Sequence, residues 1–175
     1  MLISFGGRSG TGKTTIAREV ARELAAVYLR IDSIEQAMRA AGWRVEGEGY
    51  SVARAVAEDN LRVGRIVIAD CVNPWPLTRA EWRAVAERTG VPMLEVEIVC
   101  SDPHEHRRRV ETRTADIAGH SLPTWQEVVD RNYVEWDGEP LVIDTARLTI
   151  EQAVRAIVTS VDSRHSPGRF TTPSC

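Results

Sequence analysis

Apolar residues in this chain form two alternating kinds of stretch: short continuous runs, and longer segments with apolar positions three or four apart. The runs at residues 1–5, 26–31, 65–70, 93–100 and 141–144 are brief enough for buried strands. The segments at 15–24, 34–41, 51–63, 78–89, 103–112, 124–131 and 150–161 have helical spacing. In the first of these Ile16, Val20 and Leu24 share a face, and in the third Val52, Val56 and Val63 are the expected inward positions. Thr78 and Asp102 are placed to cap helices, Thr124 begins a short one, Pro103 takes a first helical position, and Gly42, Gly64 and Gly90 stand where helices stop. Three loops remain: 43–50 with Gly47 and Gly49, 73–76 with two prolines, and 114–123 with Gly119.

Strands alternating with helices predict an α/β fold of three layers, α/β/α, around a parallel sheet of about five strands. Residues 1–161 read as one domain without repeats. The polar stretch 162–175 has little to bury and reads as a disordered tail. A chain of 175 residues, 43% hydrophobic and 27% charged, has the makeup of an ordinary globular domain. Its formal net charge of -3 gives no overall pull toward nucleic acid or an anionic membrane. No apolar stretch approaches the roughly 20 residues of a membrane span. The first residues read as a strand rather than a leader. Cys71, Cys100 and Cys175 are odd in number and lack metal-binding spacing, which suits reduced thiols in the cytoplasm.

Among 22 basic residues the only lysine is Lys13, within Gly7-Arg8-Ser9-Gly10-Thr11-Gly12-Lys13-Thr14. This is a full match to the phosphate-binding pattern G-x-x-x-x-G-K-[ST]. A compact ammonium reaches between β- and γ-phosphates where a planar guanidinium fits badly. The motif lies between a strand and a helix, so its backbone N–H groups and the helix N-terminus, continuing through Thr15, converge on phosphate oxygens. Bound ATP is the expectation, with the Thr14 hydroxyl on Mg2+.

Ligands of such sheets lie beyond the carboxyl ends of the strands, where Asp32 and Asp70 fall. Asp70 ends an apolar run, as a Mg2+-holding acid does, and equally as a turn residue does. Asp32 reads either as a helix cap or as the general base toward an acceptor hydroxyl. Arg109 and Arg113, four apart, share a helical face just before a loop, which suits a helical lid carrying guanidinium groups to a transferring phosphoryl group. A solvated basic face paired with Glu105 and Glu111 explains Arg107 and Arg108 more readily. Trp43 and Tyr50 in one loop and Asn73 and Trp75 in another are candidate acceptor contacts, although packing of loops explains aromatics there equally well. Trp82 belongs to the core, and the four histidines form no constellation.

Together these residues resemble the small P-loop kinases of the nucleoside and nucleotide kinase superfamily, and most closely the chloramphenicol phosphotransferase-like kinases. The resemblance rests on residues 6–14, on Asp32-Ser33-Ile34-Glu35-Gln36-Ala37-Met38, on Ile66-Val67-Ile68-Ala69-Asp70 and on Leu141-Val142-Ile143-Asp144-Thr145. It implies a P-loop NTPase fold, Asp32 as base, Arg109 and Arg113 as lid arginines, and Asp144 with Thr145 beside the adenine. Polynucleotide kinase-like relatives often carry an Arg three residues after the acid, where this chain has Glu35. The D-G-[FY]-P-R pattern of nucleotide monophosphate kinases is also absent. The resemblance therefore implies transfer from ATP to a hydroxyl of a neutral small molecule, such as an antibiotic or other natural product. The alternatives are a nucleoside or polynucleotide-end kinase, and an ATP-hydrolysing switch with no phosphorylated acceptor. Oligomeric state is not encoded in any recognisable motif.

Overall fold

The computed structural model describes residues 1–165. Its elements run β1 (Leu2–Gly6), α1 (Lys13–Glu23), β2 (Val27–Arg30), α2 (Ile31–Ala40), α3 (Glu48–Arg62), β3 (Val67–Asp70), α4 (Pro76–Thr89), β4 (Met93–Val99), α5 (Pro103–Thr112), α6 (Trp125–Asp130), β5 (Leu141–Asp144) and α7 (Ile150–His165). The five strands pair in parallel in the order β2-β3-β1-β4-β5. This is the expected three-layer α/β/α architecture.

Alternation along β1 sends its side chains to two cores. Ile3 and Phe5 face Ile16, Val20 and Ile157 of α1 and α7, while Leu2 faces Ala57, Leu61 and Trp82 of α3 and α4. Both faces of the sheet are covered, so its strands read as continuous apolar runs. Strand order reverses direction at β1, with β3 on one side and β4 on the other. The crevice at the carboxyl end of β1 is therefore the switch point where an open α/β sheet binds ligands.

Four local expectations are corrected. Helix α2 begins at Ile31 directly after β2, so Asp32 lies in its first turn, and no side chain caps that helix. Helix α4 begins at Pro76, and the Thr78 hydroxyl bonds back to the Trp75 carbonyl at 2.9 Å instead of capping. On α3, Val52 and Val56 are exposed, as is Val63 at its C-terminal end, whereas Ala53, Ala57 and Leu61 are buried. The helix lies close over the sheet, and the alanine stripe allows that approach where valines would hold it away. The polar residues 162–165 continue α7 rather than opening a disordered tail, and 166–175 lie outside the described residues. The cap at Asp102 forms as expected, and Thr124 proves to be a cap as well. Asp102 accepts from the amides of His104 at 2.9 Å and Glu105 at 3.2 Å, and Thr124 makes a reciprocal capping box with Glu127. Among the described residues no helix is long and apolar enough to cross a membrane.

These packing roles separate on mutation. Trp82, with no exposed surface, should cost about 3–5 kcal/mol of unfolding free energy as Trp82→Ala. Val63→Ala, at a side chain 73% exposed, should stay within about 0.5 kcal/mol of wild type. Equilibrium urea unfolding measures both; comparable losses would contradict the assigned faces of α3 and α4.

Candidate active site

Three glycines shape the phosphate loop. Gly7, Gly10 and Gly12 have φ of 137°, 86° and 92°, in the region that L side chains rarely adopt. At Gly10 space is as limiting as conformation, because a Cβ would lie 2.4 Å from Cγ2 of Val110 on α5. Around this loop three side chains act as supports. The Thr145 hydroxyl donates to the Thr11 carbonyl at 2.8 Å, the Nε2 of buried His106 donates to the Ser9 carbonyl at 2.8 Å, and Arg8 reaches outward. Arg8 Nη1 donates to the carbonyls of Val128 at 2.7 Å and Arg131 at 3.2 Å, at the end of α6, and its guanidinium lies 5.3 Å from the Tyr133 ring centroid. The Arg8 side chain is thus engaged with α6, leaving its backbone to the loop.

The loop delivers Lys13 to the first turn of α1, where it is only 8% exposed, with Nζ 3.4 Å from Oδ1 of Asp70. Asp70 is 2% exposed at the end of β3. Burial is the largest influence on its carboxyl and pushes its pKa up. Lys13, the Tyr28 hydroxyl donating at 2.6 Å, the Thr14 hydroxyl and Arg30 together outweigh it and hold the group below the usual carboxylate range. The carboxylate is therefore ionised at neutral pH. Burial, together with the neighbouring Asp70 charge and the hydrogen bond given to it, pushes the Tyr28 phenol far up, so it stays a neutral donor. Asp70 Oδ1 is buried and accepts no hydrogen bond. An ionised carboxylate with a buried oxygen that accepts no hydrogen bond, beside a Thr hydroxyl, is the donor set that Mg2+ takes in P-loop proteins, so the residues present fit that ion.

Asp32 and Asp70 are brought to the same end of the sheet by adjacent strands. β2 pairs with β3 so that Arg30 stands opposite Asp70, and Asp32 follows two residues later. Lys13, Thr14, Thr15, Asp32, Arg109 and Arg113 all line one cavity of about 990 Å³. Asp32 is partly exposed, with Arg30 Nη2 3.7 Å from Oδ2. Arg30 in turn donates to Asp116 of the 114–123 loop at 2.8 Å, and Arg18 of α1 also pairs with Asp116. Those two arginines hold the Asp116 carboxyl well below its ordinary pKa.

The lid arginines part company. Arg109 is held by Glu105 at 2.7 Å and by the Thr145 hydroxyl at 2.8 Å, beside the phosphate loop. Arg113 follows the last turn of α5, and its principal charged neighbours are Asp32 and Arg30. Arg107 and Arg108 pair with Glu111 and Glu105, a solvated basic face. Asp144 accepts from the amides of Ser101 and Ala146, each at 3.0 Å, and shapes the turn that presents Thr145.

None of the four candidate acceptor contacts lines the cavity. Trp43 is 65% and Trp75 49% exposed. Asn73 is fully buried, and its Nδ2 donates to the Ser4 hydroxyl and the Phe5 carbonyl, both at 2.9 Å. The Tyr50 hydroxyl accepts from the Asn73 amide at 3.3 Å. Arg79, fully buried, donates to the Asn73 carbonyl at 3.0 Å, so the 73–76 loop is stapled to the body rather than turned to the crevice. In their place Glu35, Gln36 and Arg39 of α2 line the wall, with His120, Ser121 and Leu122 of the lid loop opposite. Sequence reasoning missed Tyr28, Arg30, His106 and Asp116. Two carried a signal: Arg30 is a charge closing an apolar strand, and His106 stands four residues before Val110 on the inward stripe of α5.

A family model described as an AAA domain matches residues 2–131. An adenylyl-sulfate kinase of Geotalea uraniireducens is 28% identical over 177 residues, covering 96% of this chain and 83% of that protein. Among solved structures, the Mycobacterium tuberculosis APS kinase CysC in complex with AMPPNP and APS has a TM-score of 0.72 at 20% identity, over 92% of this chain and 96% of that one. A gluconokinase from Sinorhizobium meliloti has a TM-score of 0.61 at 16% identity, over 94% and 97%. At such identities the two structures speak for the fold. The family match spans most of the chain and takes in the glycine loop, Asp32, Asp70 and α5, so the chain belongs to the AAA domain family and has the fold of the P-loop kinases.

Proposed function

We propose that this chain is an ATP-dependent kinase that transfers the γ-phosphoryl group to a hydroxyl of a small molecule, with Asp32 as general base. The observation that carries this reading is the joint cavity: Lys13 on one wall, backed by its buried, ionised partner Asp70, and a partly exposed Asp32 lining the same space from the first turn of α2. A hydrolysing switch has no need of a second carboxylate beside an open acceptor space. The adenylyl-sulfate kinase and gluconokinase names of its relatives add weight to a hydroxyl acceptor. The unpaired thiols Cys71 and Cys100 suit a reducing compartment.

In this reading the loop amides and Lys13 hold the β- and γ-phosphates, with Thr145 on the nucleotide side. Thr14 and Asp70 would hold Mg2+, which when bound would neutralise phosphate charge. Asp32 takes the proton of the acceptor hydroxyl as its oxygen bonds to the γ-phosphorus. The bond from that phosphorus to the β–γ bridging oxygen breaks, and ADP leaves with the electron pair. Arg109, held beside the loop, stabilises charge on the transferring group. Closure of the 114–123 loop excludes water and suppresses wasteful hydrolysis.

Replacement of Lys13 tests the phosphate assignment. Lys13→Ala should abolish transfer, and Lys13→Arg should recover little of it despite keeping the charge. Turnover near wild type in either variant, measured as ADP released in the presence of a hydroxyl acceptor panel, would contradict it.

The two acids should differ in kind. Asp32→Asn should leave Mg-ATP affinity by calorimetry nearly unchanged while transfer falls about 100-fold or more. Asp70→Asn should instead raise the Mg2+ concentration for half-maximal rate by about tenfold or more. If the two variants respond alike to a Mg2+ series, the division of roles is wrong.

A further inference from the structure

The acceptor half of the cavity carries more positive charge than its ion pairs use. Arg18, Arg30, Arg39 and Arg113 line it against Asp32, Glu35 and Asp116. Glu35 accepts from Arg39 at 2.9 Å, and Asp116 from Arg18 and Arg30. Glu35, the residue that spoke for a neutral acceptor, therefore presents a charge already matched. Arg113 is the cation left over. Its Nε and Nη2 are buried without a hydrogen-bond partner, as is Nε of Arg30. Burial is the main influence on the Arg113 guanidinium and lowers its pKa, with attraction from Asp32 opposed by repulsion from Arg30. Buried donors are almost always satisfied, so orphaned guanidinium N–H groups on a cavity wall call for a ligand acceptor.

Their position says which ligand. Arg109 stands by the glycine loop: its Nη1 would lie 3.9 Å from a Cβ placed on Gly12. Arg113 instead stands near Asp32, where an acceptor hydroxyl must come to lose its proton. A guanidinium edge matches carboxylate, phosphate and sulfate oxygens in a planar fork. A second anion near Asp32 is tolerable because Arg30 lies 3.7 Å from that carboxylate.

We infer that the acceptor is a small hydroxyl compound bearing its own anionic group, a carboxylate or a phosphate or sulfate ester, which Arg113 holds with Arg30 while the hydroxyl faces Asp32. The inference rests on the kinase reading for the hydroxyl, while the anion site stands on its own geometry. Arg113 is then a specificity residue that acts on acceptor binding. A neutral compound leaves its buried donors unpaired and is rejected for that reason.

The test uses the full chain loaded with Mg2+ and AMPPNP, so that the phosphate loop is filled. It is titrated calorimetrically with inorganic sulfate, D-glycerate, D-gluconate and glucose 6-phosphate, and with the neutral counterparts glycerol, sorbitol and glucose. At least one anion should bind about tenfold or more tightly than its neutral counterpart. Arg113→Gln should erase that preference and Arg113→Lys restore part of it, both with AMPPNP affinity unchanged. The same organic compounds are then offered with ATP, and phosphorylated product is read by mass spectrometry. Arg113-dependent anion binding without transfer to any compound supports the anion site and counts against the kinase reading. Transfer to a neutral compound without anion preference does the reverse. Failure of sulfate and every other anion to bind overturns the inference. So does an Arg113→Gln variant that lowers kcat alike on both members of a pair with acceptor KM unchanged, since the guanidinium would then serve the transferring group.

Discussion

A carboxylate cannot remain ionised inside a protein without compensation, and Asp70 obtains it from two separate pieces of the chain. Lys13 and Thr14 come from the first turn of α1 and Tyr28 from β2, while Arg30 adds its charge from the end of β2. Each must arrive in register: β2 pairs with β3 so that Tyr28 stands opposite Ile68 and Arg30 opposite Asp70. A slip of one residue in that pairing would turn Tyr28 to the other face of the sheet and strand a buried charge. The chemistry of the crevice and the order of its strands are thus one constraint.

The glycine loop is held from outside as well as from below. His106 and Val110 of α5 press on it at Ser9 and Gly10, Thr145 supports Thr11, and Arg8 fastens onto the carbonyl end of α6. His106 packs edge-on to Trp125, at 5.2 Å between ring centroids, which joins α5 to α6 at the same place. The base of the lid is therefore continuous with the phosphate loop, and motion is left to the segment between the two helices. A charged tether from that segment, Asp116 to Arg18 and Arg30, reaches the wall that carries Asp32.

Much of this was legible in the sequence, for physical reasons that differ by element. Strands buried on both faces leave continuous apolar runs, and a loop that needs backbone amides and positive φ leaves glycines at fixed spacing, so the sheet and Lys13 could be read directly. Helix α3 misled because two apolar stripes lie one residue apart, and volume rather than hydrophobicity decides which faces the sheet. Trp43, Tyr50, Asn73 and Trp75 misled because position at a strand end does not say which way a loop folds. Buried bonds from Asn73 to β1 and from Arg79 to the loop carbonyls, with Arg79 stacked 4.6 Å from the Trp136 ring centroid, draw one of those loops inward. Arg30, Arg113 and Asp116 were invisible as a group, since they meet only when β2, the end of α5 and the lid loop are assembled.

The solitary lysine has a consequence for covalent chemistry. Apart from the chain's α-amine, the amine of Lys13 is the one primary amine this protein has, and it lies nearly sealed beside Asp70 at the floor of the crevice. Acylating reagents and lysine-modifying enzymes find no decoy on a surface furnished with arginine. A single acyl group there removes the charge at the phosphate site, and phosphates seated above it shield it further. Side-chain amine labelling, diffuse in most proteins, becomes here a one-residue gauge of whether the crevice is occupied.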